Sequence, residues 1–316
     1  MTEIGSDVQR AARILKSGGI VAVPTETVYG LAANAFDEKA VTKIFKAKNR
    51  PAFDPLIVHV ADDASLASVA AEIPEAAHKL RRHFGPGPLT LVLPKTAQVP
   101  DLVTSGLPHV AVRTPNHPAA AELLGMLTFP LAAPSANPFG YVSPVTAAHV
   151  AAQLGGSIDY ILDGGRCTVG IESTIVAFTD RPKILRLGGL SQEAIEAVIG
   201  PVEVAAESSA NPAAPGMLTA HYATKKPLVI GHIPTLLKAH NERSPAVLGF
   251  TSNYGTAGEI LSKSGDPDEA ARNLFAAMRR LDESNAGIIL AEFLPESGLG
   301  RAVNDRLRRA GADRKL

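Results

Sequence analysis

Pro24-Thr25-Glu26-Thr27-Val28-Tyr29-Gly30 follows directly on the β-type run Ile20-Val21-Ala22-Val23, so a strand ends and a polar loop begins. In an open α/β sheet, strand ends rather than strand interiors border the crevice where ligands sit. One helix later comes Lys48-x-Arg50-Pro51, and far downstream Pro134-Ser135-x-Asn137-Pro138 follows the apolar Leu131-Ala132-Ala133. Together these segments carry hydroxyls, two cations and an amide to strand ends. A phosphate-bearing small molecule is the ligand this chemistry points to.

Working outward, a first helix is predicted over residues 9–16, with Ala11, Ala12, Ile14 and Leu15 on one face and Ser17-Gly18-Gly19 ending it. A second, capped by Asp37, covers about 38–47 and delivers Lys48 and Arg50 at its end. Strands are predicted at 56–60, 89–93, 110–112, 160–162, 173–178 and 184–186, and helices at 74–84, 118–127, 146–154 and 192–199. This order describes an α/β protein with a mixed sheet covered by helices. Residues 201–216 turn poor in large apolar side chains and rich in Ala, Ser and Pro, as a linker does. Beyond them, strands at 228–230, 246–250 and 288–290 alternate with helices at 268–284 and 298–310. The predicted organisation is a catalytic domain over 1–200, a linker over 201–227 and a small α/β domain over 228–316.

The 316 residues are 46% apolar, ample for a core, and Lys+Arg 31 balances Asp+Glu 31. That balance lacks the basic surplus of bulk nucleic-acid binding. The lone Cys167 excludes a disulfide framework and multi-cysteine zinc motifs; it reads as a buried apolar residue and fits a reducing cytosol. Glu3, Asp7 and Arg10 precede any apolar run, unlike a signal peptide, so a cytoplasmic location is expected. Residues 123–158 carry no Asp, Glu, Lys or Arg, but Pro130, Pro134, Pro138 and Pro144 would break a membrane helix there. They read as buried sheet and cavity-lining loop, and no membrane association is expected.

Lys48 and Arg50 near a helix C-terminus are by default a solvated pair complementing the dipole. Pro51 changes the balance, because it stiffens the turn that would hold the guanidinium for bidentate contact with phosphate or carboxylate. Ser135 and Asn137 could donate to phosphate oxygens or simply form a turn. Arg113, ending its strand, is either an anion clamp or a charge reaching solvent. Glu172-Ser173-Thr174 after Gly164-Gly165 and Gly170, and Arg186 before Gly188-Gly189, suggest close backbone approach to a ligand, although glycine turns alone explain them. His59, in an apolar strand, is more often a satisfied core histidine. No P-loop, Gly-x-Gly-x-x-Gly, His-Glu-x-x-His or Gly-x-Ser-x-Gly is present.

Taken as a set, the motifs resemble the L-threonylcarbamoyladenylate synthases, YrdC-domain enzymes, in their long form with an extra C-terminal domain. The resemblance lies in Thr25 to Leu31, Lys48 to Leu56, Ser135 to Asn137 and Glu172 to Ile175, extended by Arg186-Leu187-Gly188, Pro215-Gly216-Met217 and His221-Tyr222-Ala223. It implies a YrdC-like twisted sheet with a concave cavity and a Rossmann-like C-terminal domain. The implied reaction joins L-threonine, bicarbonate or CO2, and ATP into threonylcarbamoyl-AMP and pyrophosphate. That product supplies the threonylcarbamoyl group of N6-threonylcarbamoyladenosine at position 37 of tRNAs reading ANN codons, through a separate transfer machinery. By the same resemblance Thr27, His59, Arg113 and Ser173 surround threonine. Arg50, Asp54, Ser135, Ser143, Arg186, His221 and Tyr222 contact ATP. Lys48, Arg50, Ser135 and Asn137 form the catalytic set at the phosphates, and Mg²⁺ is held through phosphate oxygens rather than by the protein. His221-Tyr222, within the linker, would close over ATP.

Two positions depart from the family pattern. Asp54 stands where Asn is usual and brings a negative charge that could face nucleotide, metal or Arg50, and Thr224 replaces a Pro. Two other functions compete. An RNA-binding module would show clustered basic and aromatic residues, which are lacking. A carbamoyl-transfer enzyme of hydrogenase maturation would carry cysteine-rich zinc segments, which one cysteine does not build.

Overall fold

Asp37 caps the helix Glu38–Lys48 through its carboxylate, which accepts from the Lys39 and Ala40 amides, and Asn49 at φ 51° stops it in the left-handed region that Asn tolerates. The computed structural model describes residues 2–179, 181–205 and 221–312. Within them one mixed sheet of 11 strands runs in the spatial order Ile4–Gly5, Tyr160–Leu162, Val21–Val23, Gly30–Asn34, Leu131–Ala132, Ile57–His59, His109–Arg113, Leu89–Pro94, Thr174–Ala177, Lys183–Arg186, Glu203–Val204. A second sheet of four parallel strands, in the order Leu228–Ile230, Ile288–Ala291, Pro245–Gly249, Gly258–Ile260, carries the C-terminal unit. Mixed pairing in the first sheet and all-parallel pairing in the second match the two architectures expected from the order of elements.

Register does the positioning. Ile57–His59 pairs in parallel with His109–Arg113 so that His59 lies opposite Arg113, putting both side chains at neighbouring strand ends. The loop 24–29 turns the chain from Val21–Val23 back into the antiparallel Gly30–Asn34. Gly30 in turn bridges Ser135, which lies beyond Leu131–Ala132.

Several elements were not expected from sequence. They include the strands Gly30–Asn34 and Gly258–Ile260 and the helices Asp63–Val69 and Ile233–Ala239. The first of these helices carries a legible signal, a capping box in which Asp62 and Ser65 satisfy each other's backbone. The start of the expected linker is also different, for Glu203–Val204 extends the sheet beside Lys183–Arg186. Residues 206–220, with Pro215-Gly216-Met217, lie outside the described residues. No described helix is long and apolar enough to cross a membrane. The charge-poor residues 123–158 hold Leu131–Ala132 and the helix Ala147–Leu154, with buried loops between. Cys167 is buried, which pushes its thiol up to about 12.

Candidate active site

The Thr25 hydroxyl donates to the Val28 carbonyl at 2.6 Å and accepts from the Thr27 and Val28 amides, which closes the loop on itself. With that proton committed, the 2.9 Å contact between the two threonine hydroxyls has Thr27 as donor. Thr27 Oγ1 then accepts from Arg113 Nη1 at 2.8 Å. Arg113 is buried, donates through Nε to the Gly87 carbonyl and pairs with Glu26 at 2.7 Å. The solvent-reaching alternative for Arg113 is thereby excluded. Beside it, His59 Nε2 is buried and has no hydrogen-bond partner among the described residues. Burial, with Arg113 adjacent, pushes the His59 imidazole down to about 3, so it is neutral at neutral pH. An unsatisfied buried nitrogen is costly, so the reading of His59 as a satisfied core residue fails.

Across the cavity, the end of the helix Glu38–Lys48 brings Arg50 to the wall. Its guanidinium donates to the Asp54 and Pro55 carbonyls at 3.0 and 2.8 Å and pairs with the Asp54 carboxylate at 2.8 Å. Of the three partners open to Asp54, Arg50 is the one the structure contains, and the two are paired. Arg186 donates to the Ser173 carbonyl and hydroxyl, and that hydroxyl also meets Thr90 Oγ1 at 2.7 Å. Gly188 is required nearby, because a Cβ there would stand 2.4 Å from the Glu172 carbonyl oxygen. His221 Nδ1 is a second buried nitrogen that has no hydrogen-bond partner among the described residues; burial, with Arg50, Lys48 and Arg186 close by, brings this ring too down to about 3. Tyr222 follows at φ 61°, a strained conformation for a bulky residue of the kind found at ligand sites.

The pocket enclosed by these groups, about 540 Å³ with its open mouth, gathers Thr27, His59, Arg113, Ser173, Arg50, Ser135, Arg186, His221 and Tyr222. Lys48, Asp54, Asn137 and Ser143, grouped with them from sequence, do not line it. Lys48 is buried beneath the wall, where its ammonium donates to the Ser135 and Asn137 carbonyls. The Asn137 amide turns to the Pro138 and Tyr141 carbonyls, both at 2.8 Å. These two residues hold the Ser135 loop against the helix end. Ser143 donates to Glu172 at 2.6 Å. Among the described residues no group of three or more His, Cys, Asp or Glu is arranged to hold a metal ion.

Among the described residues, the chemistry of the pocket is therefore three lining guanidinium groups with one lining carboxylate, Glu172, and two neutral, buried imidazoles. Such a site binds polyanions and carboxylates, since charges removed from solvent are weakly screened.

A family model for the Sua5, YciO and YrdC proteins, described as telomere recombination, matches residues 13–188, and one described as threonylcarbamoyl-AMP synthase, C-terminal domain, matches 190–312. Threonylcarbamoyl-AMP synthase of Pyrococcus abyssi is 44% identical over 97% of this chain and 94% of its own. The chain belongs to the threonylcarbamoyl-AMP synthase family. The Bacillus subtilis threonylcarbamoyl-AMP synthase is 41% identical, with 98% of this chain and 94% of that protein covered. The crystal structure of P. abyssi Sua5 complexed with L-threonine superposes at a TM-score of 0.93, with 42% identity over 98% of this chain and 97% of that one.

Sequence reasoning missed Arg306, which reaches Glu172 from the helix Gly300–Ala310. A signal existed: Arg306 falls at helical spacing among Ala302, Val303 and Ala310, on the apolar side where an arginine must find a buried partner.

Proposed function

We propose that this threonylcarbamoyl-AMP synthase family member joins L-threonine, bicarbonate or CO2, and ATP into threonylcarbamoyl-AMP with release of pyrophosphate, for the N6-threonylcarbamoyladenosine of ANN-reading tRNAs. The observation that carries this reading is one pocket that gathers Thr27, His59, Arg113 and Ser173 with Arg50, Ser135, Arg186, His221 and Tyr222. In this reading Thr27, His59, Arg113 and Ser173 take the threonine, with Arg113 facing its carboxylate and neutral His59 accepting a hydrogen bond from its amine or hydroxyl. Arg50, Ser135, Arg186, His221 and Tyr222 make the half for ATP. Support also comes from the full-length likeness to a relative solved with L-threonine.

The threonine amine adds to CO2 and loses a proton, giving a carbamate. A carbamate oxygen then attacks the α-phosphorus, the bond to the bridging oxygen breaks, and pyrophosphate departs. The barrier is the approach of two anions, and the chain's contribution is positioning and fixed positive charge at Arg50 and Arg186. Lys48 and Asn137 act one step back, by fixing the Ser135 loop. Mg²⁺ would be held by the phosphates of ATP rather than by side chains, and when bound would offset their negative charge. The division into a first unit, a linker and a unit over 228–316 belongs to the same proposal, with the first unit extended from residue 200 through the strand Glu203–Val204, and is supported by the two separate sheets.

The test is pyrophosphate release. It is expected only when threonine, bicarbonate, ATP and Mg²⁺ are present together, and ATP turnover equally fast without threonine would overturn the reading.

A further inference from the structure

The last helix, Gly300–Ala310, packs on the C-terminal sheet yet sends one guanidinium into the other unit. Arg306 is fully buried. Its Nε and Nη2 both donate to Glu172 Oε2, at 3.2 and 3.1 Å, while Nη1 donates to the Leu187 carbonyl at 2.5 Å and meets Asp305 Oδ2 at 3.1 Å. The other Glu172 oxygen accepts from Ser143. The Arg306 guanidinium also lies 5.5 Å from the ring centre of Tyr222, and that ring stacks on Phe275 of the helix Pro267–Glu283 at 5.4 Å. Glu172 and Tyr222 line the pocket, whereas Arg306 stands behind them.

A carboxylate lining a pocket for a triphosphate is a liability, because like charges out of water repel strongly. A buried carboxylate stripped of its partner is costly in its own right. Arg306 cancels the charge of Glu172 and holds it by two donors on one oxygen, and the same guanidinium presses on the ring whose backbone is in the left-handed region. Both effects come from the C-terminal unit.

We propose that Arg306 is a positioning residue for nucleotide binding, through which the C-terminal unit completes the pocket by neutralising Glu172 and seating Tyr222. The proposal rests on the reading of this half of the pocket as an ATP site. Because coupling between binding and docking is reciprocal, ATP must in turn hold the last helix in place.

The experiment is calorimetric titration of the full chain with ATP and, separately, with threonine, for wild type, Arg306→Met, Arg306→Lys, Glu172→Gln and the double variant Arg306→Met/Glu172→Gln, with melting temperatures alongside. Arg306→Met is expected to raise the ATP Kd at least about tenfold and the threonine Kd less than about threefold. The double variant removes the stranded carboxylate and is expected to return within about threefold of the wild-type ATP Kd. Arg306→Lys keeps the charge but not the two-donor hold and is expected to fall between. An ATP Kd for Arg306→Met within about twofold of wild type overturns the proposal, as do losses for ATP and threonine that run in parallel with melting temperature. Should Arg306→Met not fold, the double variant decides: an ATP Kd raised about tenfold or more there overturns the proposal, and recovery supports it. A wild-type chain that binds no ATP would instead sink the functional reading, and the proposal with it.

Discussion

Asp54 is the residue on which the proposed nucleotide half of the pocket is most open to change. It occupies Arg50 with a buried ion pair where a neutral Asn would leave the guanidinium for phosphate. Asp54→Asn is therefore expected to lower the ATP KM by about fivefold, the equivalent of about 1 kcal/mol, in initial-rate assays; a rise would mean that the pair is needed to aim Arg50. Arg50→Ala is expected to cost at least about 2 kcal/mol in kcat/KM, the scale of losing one preorganised donor, and an unchanged rate would remove Arg50 from the site. The two buried imidazoles set an acid limit. Both His59 and His221 are brought down to about 3 from the ordinary 6.5, so between those values the unfolded chain binds more protons than the folded one. Their contribution to stability is complete above about pH 6.5 and is lost as pH falls toward 3, at up to about 1.4 kcal/mol per pH unit for each ring. Urea midpoints at pH 7, 6 and 5 should fall accordingly, and His59→Gln should flatten the fall by one proton. A midpoint independent of pH over that range would contradict the neutral assignment.

Among the elements, the junction between the Glu172-Ser173 loop and Gly188 has the least freedom. The Gly189 amide donates to the Glu172 carbonyl at 2.9 Å, and Gly188 leaves no room for a methyl group. Gly188→Ala should shift the loop that carries Ser173 and Glu172, lowering kcat/KM by about tenfold or more and stability by about 1–3 kcal/mol, as overpacking does. Wild-type kinetics in a folded Gly188→Ala protein would show that this clasp does not set the pocket. Helix and strand positions in the first unit were largely legible because their apolar periodicity and caps are local. Gly30–Asn34 was not, since its buried Leu31, Ala32 and Ala33 form a strand only once Val21–Val23 and Leu131–Ala132 flank it.

At the scale of the whole molecule, the two sheets share one apolar cluster that runs from Ile20 and Ile44 to Phe275 and Leu307, crossed by Arg306–Glu172, Arg279 on the Val142 carbonyl and Tyr141 on Asp282 at 2.5 Å. Unfolding should therefore be a single calorimetric transition, and two endotherms separated by more than about 5 °C would make the units independent. By itself the sequence determined the α/β class and most of the residue types gathered at the pocket, because these are carried by local periodicity and short motifs. It could not divide those motifs into wall and support. Lys48 and Asn137 sit two residues from the pocket residues Arg50 and Ser135 in the chain, yet they point behind the wall, and Arg306, far away in the chain, stands against it. That division depends on which buried polar group has a partner within hydrogen-bonding reach, a condition that only the packing of distant segments decides.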